Sequence, residues 1–148
     1  MHLLTRMLAA RLSQDSKALS EAMLDMFHTR TVPTHAFVPL FSELILEDWH
    51  TEHEDLASAL QQLKDPRATD ALYKATALKF DYLDQVDDMH AFQRKCTWAL
   101  ADIGNEAAKA YLQRIAQAED QELSGYAQKR LDNWEREMGR KGSKGTEQ

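Results

Sequence analysis

Between Glu47 and Asp55 the chain reads Glu-Asp-Trp-His-Thr-Glu-His-Glu-Asp, a run of five acids, two histidines and a tryptophan with no lysine or arginine. On a helix His50 and His53 stand at i, i+3 and Glu54 follows His50 at i+4, so the three side chains share a face in a pattern suited to a divalent metal. A zinc centre needs three or four ligands. The other histidines, His2, His28, His35 and His90, stand in no partner motif. The run is therefore read without a metal, as a helix start whose acids lie near the positive end of the helix dipole. Trp49, His50, His53 and Glu54 are carried forward as candidate partner contacts.

A second acidic stretch, Lys79 to Asp88, sets Asp81, Asp84, Asp87 and Asp88 around Tyr82 with no basic residue between them. It has neither the ligand spacing nor the glycine turn of a calcium loop. Two readings stand side by side. One is a solvated loop whose last acids cap the next helix; the other is an acidic and aromatic projection that engages lysines and arginines of a partner. Among the three tryptophans, Trp134 falls on a core position. Trp98 lies off its helix's apolar stripe, which makes it lateral or exposed and a candidate interface anchor, with Asp102 on the same face one turn later. Arg94, Lys95, Lys129 and Arg130 read as solvated helix faces. No nucleophile triad, glycine-rich phosphate loop or paired-cysteine motif occurs, so no catalytic residue is assigned, no cofactor is implied and the chain is not expected to be an enzyme.

The elements that must position these residues are helices. Valine and isoleucine together number six, while Ala, Leu, Met, Gln, Glu and Lys dominate, a mix that favours helix and starves strands. The first glycine is Gly104, and Gly139, Gly142 and Gly145 fall in the last ten residues. A chain of 148 residues suits one domain. Residues 1–138 are read as that domain, and 139–148, which lack any apolar side chain, as a disordered tail. The formal charge of −6 disfavours direct nucleic-acid binding and permits a basic protein partner. Cys96 has no intramolecular partner and reads as a buried structural thiol in a reducing compartment. With no signal-like start and no long apolar run, the expected location is cytoplasmic, away from membranes.

The pattern then repeats. Slid by forty residues, Leu56, Ala59, Leu60, Leu63, Ala68, Leu72 and Ala75 fall on Cys96, Ala99, Leu100, Ile103, Ala108, Leu112 and Ile115. Asp65, an N-cap before Pro66, falls on Asn105, another good N-cap. Ala127, Leu131 and Trp134 follow Cys96, Leu100 and Ile103 by thirty-one residues, which marks the nine-residue surplus of the longer unit as an insertion within Lys79–Asp88. Ahead of the repeats, residues 3–28 read as one helix, with Leu4, Leu8, Leu12, Leu19, Met23 and Phe27 on its stripe and a potential break at Ser13–Ser16. A second helix runs from about Phe37 to Asp48. Residues 1–30 are an N-terminal cap and 36–138 the repeats. The expected fold is an all-α solenoid of about three helix pairs.

The segments Leu63-Lys-Asp-Pro-Arg-Ala-Thr-Asp-Ala-Leu72 and Trp98-Ala-Leu-Ala-Asp-Ile-Gly-Asn-Glu-Ala107 resemble the short HEAT-like repeats of the phycobilisome-lyase type. More narrowly, Glu47–Asp55, Tyr82–Asp84, Lys95–Trp98 and Tyr126–Trp134 look like bacterial single-domain HEAT-repeat proteins, several of which are immunity partners of polymorphic or contact-dependent toxins. The resemblance implies a non-catalytic protein with a surface that sequesters one cognate toxin domain; the acidic stretches lead us to expect a basic domain, with a nuclease among the candidates. The alternatives are a general HEAT scaffold or adaptor, and a metal-dependent or lyase-type HEAT enzyme.

Overall fold

A computed structural model describes residues 2–136, and within them the secondary structure is all-helical. The tail assigned to 139–148 lies outside the described residues. The helices are α1 (Leu3–Ser13), α2 (Ser16–His28), α3 (Val38–Leu44), α4 (His53–Leu63), α5 (Thr69–Thr76), α6 (Asp81–Gln85), α7 (Met89–Ile103), α8 (Glu106–Ile115) and α9 (Gln121–Asp132). Short 3-10 turns, His35–Phe37 and Pro66–Ala68, lead into α3 and α5.

The punctuation of the sequence maps onto the backbone. Lys64 closes α4 in the left-handed conformation at φ 52°, and Gly104, forty residues on, closes α7 at φ 69°. Glycine adopts that conformation freely, whereas lysine carries a Cβ penalty there. Asn105 then accepts a hydrogen bond from the Ala108 amide. Asp65 accepts from the Arg67 amide, and its carboxylate is also held by the Arg67 guanidinium at 2.8 Å and the His35 Nδ1 at 2.9 Å. The Arg67 bonds, seconded by His35, hold the Asp65 carboxyl far below the usual carboxylate range. Replacing Asp65 with alanine removes the cap and strands the Arg67 guanidinium and the His35 ring, and is expected to lower folding stability by about 2 kcal/mol in urea denaturation. Asp65→Asn, which keeps an acceptor, should lose less.

The stripes predicted from periodicity line the interior. Leu56, Ala59 and Leu60 on α4 are buried, as are Cys96, Ala99 and Leu100 on α7, and Leu63 and Ile103 are half-buried in both copies. α4 packs against α7 and α7 against α9, while α5 lies against α7 and α8, and α3 against α4 and α5. Side-chain bonds lace equivalent elements at one constant separation of 41 residues: Lys95 Nζ to Glu54, Gln61 to Asp102, and the Tyr111 hydroxyl to Asp70. Tyr73 and Tyr111 stack almost parallel, centroids 4.1 Å apart. The recurrence in sequence is thus a recurrence of neighbours in space. Burial pushes the Cys96 thiol strongly up, and the side chain is fully enclosed, as a structural thiol should be.

The N-terminal region is divided at the break that Ser13–Ser16 offered, so residues 3–28 form two helices and not one. The chain breaks at Gln14, left-handed at φ 49°, and Asp15 caps α2 by accepting from the Ala18 amide. A hairpin results, so one stripe becomes two faces. Met7, Ala10, Leu19, Ala22, Met23 and Met26 turn inward, while Leu8, Leu12 and Phe27 are exposed. α3 ends at Leu44, several residues before Asp48, because residues 45–52 turn to bring the histidines under α6.

Candidate functional site

The two histidines of the Glu47–Asp55 run occupy the junction of α3, α4 and α6, and both are fully enclosed. Their rings stack with centroids 4.3 Å apart, and the His53 ring also stacks on Phe80 at 3.7 Å and meets Phe92 edge-on at 5.9 Å. Phe80 precedes α6, and Phe92 lies in the second turn region of α7, so His53 joins three elements.

The hydrogen bonds of the pair fix its protonation. His50 Nε2 lies 2.7 Å from the Leu44 carbonyl, which can only accept, while the Glu52 amide donates to His50 Nδ1 at 3.0 Å. His53 Nε2 likewise donates to the Glu47 carbonyl at 2.6 Å, and the Tyr82 hydroxyl donates to His53 Nδ1 at 2.7 Å while accepting from the His53 amide at 3.2 Å. Each imidazole is therefore the neutral Nε2–H tautomer, with its Nδ1 lone pair already taken. Burial pushes both rings below their ordinary range, and His53, further opposed by His50, falls to about 4. Burial also pushes the Tyr82 phenol up to about 12.

All four ring nitrogens being engaged, the i, i+3 pair has no lone pair to offer a metal. Among the described residues, no group of three or more His, Cys, Asp or Glu side chains is placed to hold an ion. The same burial corrects the assignment of His50 and His53 as partner contacts: they support the surface from beneath. Trp49 is half-buried, its ring edge-on to His50 and its Nε1–H bonded to Glu47, which also receives the bidentate Arg11 guanidinium. Glu54 faces α7 and pairs with Lys95 at 3.2 Å.

The 79–88 insertion is a platform rather than a loose loop. Phe80 and Leu83 are buried, Tyr82 is bonded to His53, and α6 stands on these three anchors. Asp87 then turns left-handed at φ 59°, and the Asp88 amide donates to the Leu83 carbonyl, closing the helix. The Asp88 carboxylate does not cap α7. Asp81, Asp84, Asp87 and Asp88 all face solvent, with Lys79 paired to Asp84 at 3.2 Å, and Val86 protrudes among them at 64 % exposure. Trp98 and Asp102 do share the outer face of α7. The Trp98 ring is only partly open, because the Arg130 guanidinium lies over it at 3.4 Å, and Asp102 accepts from Gln61.

Sequence reasoning missed Arg130, which is buried rather than a solvated cation, and Phe80, the floor of the histidine stack. The apolar pair Phe80 and Leu83 at i, i+3 is the one signal that a helix was anchored there. No protein-family model, no curated protein and no solved structure matches the chain. No helix among the described residues is long and apolar enough to cross a membrane.

Proposed function

We propose that the protein is a non-catalytic binding protein of the immunity type, a HEAT-like solenoid that neutralises a basic toxin domain by covering its active surface. The observation that carries this reading is the α6 platform: four exposed acids around the apolar tip Val86, presented by a segment anchored through the buried Phe80 and Leu83 and the hydrogen-bonded Tyr82. Rigid presentation lowers the entropy lost on binding, and the acids steer a cationic partner while Val86 supplies apolar area. The constant 41-residue lacing of α4 to α7 and of α5 to α8 supports the solenoid reading. The internal use of both buried imidazoles supports the absence of acid–base chemistry at that junction. A net charge of −6 suits a cytoplasmic partner-binder and not a phosphate-binder.

The test has two steps. Affinity capture from the native host, followed by expression of each captured protein alone, should yield one that arrests growth unless this chain is co-expressed. Charge reversal of Asp84 and Asp88 to lysine should then weaken binding to that protein at least tenfold and leave the helical circular-dichroism signal unchanged, since both side chains are exposed. Unchanged affinity would remove α6 from the interface.

A further inference from the structure

α6 is a helix of five residues, too short to hold its form unaided, and it lies extensively against no other helix among the described residues. Its attachments are the side chains of Phe80, Tyr82 and Leu83, and two of the three end on one ring. Phe80 stacks on His53 at 3.7 Å, and the Tyr82 hydroxyl bonds the His53 Nδ1 at 2.7 Å and the His53 amide at 3.2 Å. Among the described residues, these are the side-chain hydrogen bonds that tie residues 80–88 to another helix. We propose that α6 is an acid-opened latch: proton uptake by His53 releases Phe80 and Tyr82 together, and α6 detaches from α4 and α7 while the repeats stay folded. The opening is a property of the isolated chain; that it discharges a partner rests on the binding function proposed above.

The hydrogen bonds around the ring admit only its neutral form. A protonated His53 sets an Nδ1–H against the Tyr82 hydroxyl, which must then give up its acceptor. The stacked His50, 4.3 Å away, cannot share the proton, because its own Nδ1 is met by the Glu52 amide, a donor fixed by the backbone. The turn before α4 brings Glu47, Asp48 and Glu52 near the pair, and α4 itself adds Glu54 and Asp55. Arg11 of α1 neutralises Glu47 together with Glu43 of α3, and Lys95 of α7 pairs with Glu54. From the far side the ring meets only Phe80, Phe92 and the Tyr82 phenol, while the acids of 81–88 point to solvent. Burial outweighs the nearby carboxylates and holds the closed ring at about 4. With α6 lifted, the ring reaches water and regains its ordinary value near 6.5, so the open state takes up a proton that the closed state refuses. Opening is therefore favoured progressively as the pH falls below about 6.5, until the closed ring itself titrates.

Native-state hydrogen exchange of the full-length protein, followed by NMR, reads this opening residue by residue. The Asp84 and Asp88 amides, bonded to the Phe80 and Leu83 carbonyls, report on α6, and the Leu112 amide reports on α8. After correction for intrinsic exchange, the opening constants at Asp84 and Asp88 should rise about tenfold from about pH 6 to about pH 5, one proton's worth, and exceed that of Leu112 throughout. His53→Gln, which cannot charge, should abolish the rise. Tyr82→Phe keeps the ring and drops the hydroxyl; it should raise α6 opening about fivefold at both pH values and preserve the rise, which keeps the proposal testable if the His53 variant fails to fold. Opening constants that do not change with pH, that equal the Leu112 value, that still rise in His53→Gln or that are unaltered in Tyr82→Phe would overturn the proposal. All are read on the isolated chain, so failure here leaves the test of Asp84 and Asp88 against a toxin standing, and failure there leaves the latch standing.

Discussion

Replacing His53 with alanine is expected to lower folding stability by about 3–4 kcal/mol, the combined scale of a buried aromatic truncation and two stranded hydrogen-bond partners. The side chain is fully enclosed, so its removal opens a cavity between Phe80, Phe92 and His50 that backbone relaxation fills only in part. The Glu47 carbonyl loses its donor and the Tyr82 hydroxyl its acceptor at the same moment. His53→Phe separates the two contributions: it restores the ring stack but not the hydrogen bonds, and should recover roughly half of the loss. Urea denaturation reads both values. A loss near that of an exposed substitution, within about 0.5 kcal/mol, would show that the histidine stack does not join α3, α4 and α6.

The second large effect is on pH. The His53 ring has a folded pKa of about 4, below the ordinary histidine value near 6.5, so the unfolded chain binds the proton more readily between those limits. Stability from the neutral ring is therefore complete above about pH 6.5 and is lost as the pH falls toward 4, by about 3 kcal/mol across the window. His50, lowered for the same reason, adds to the loss. His90 acts in the opposite direction. Its bond to Asp120 raises it, so its contribution is present at low pH and lost as the pH rises through its folded value; being a third exposed, it is screened and does not offset the buried pair. The lowered carboxyls of Asp65, Asp70 and Asp120 lose their contributions only as the pH falls from the ordinary carboxylate range, so the decline that starts near pH 6 belongs to the histidines.

How far the sequence disclosed this architecture depended on the range of the forces involved. Asp65, Asn105 and the stripes from Leu56 and Cys96 were legible because capping and helical periodicity act within a few residues. The break within Ser13–Ser16 was legible too, but the inward faces of α1 and α2 were not, since the left-handed turn at Gln14 re-aims each helix separately. The histidine pair shows the same division. Its i, i+3 spacing was plain, but the partners that set its chemistry lie on other elements, Tyr82 at 29 residues' separation among them. The acids of 79–88 were visible as a cluster, whereas their support required Phe80 and Leu83 to find the core. Arg130 read as a surface cation because its burial depends on Trp98, an element away in the chain.

The Glu47–Asp55 histidines are neutral, internally bonded supports beneath α6. Nitrogen NMR of the imidazole rings tests this most directly, by following the His53 Nδ1 and Nε2 shifts from pH 7 to pH 4 with and without added zinc. The ring should be an Nε2–H tautomer that stays neutral at pH 5, begins to titrate only near 4, and is unmoved by zinc at neutral pH. Titration near the ordinary value of about 6.5, or a zinc-dependent shift of Nδ1 in the folded protein, would contradict this assignment.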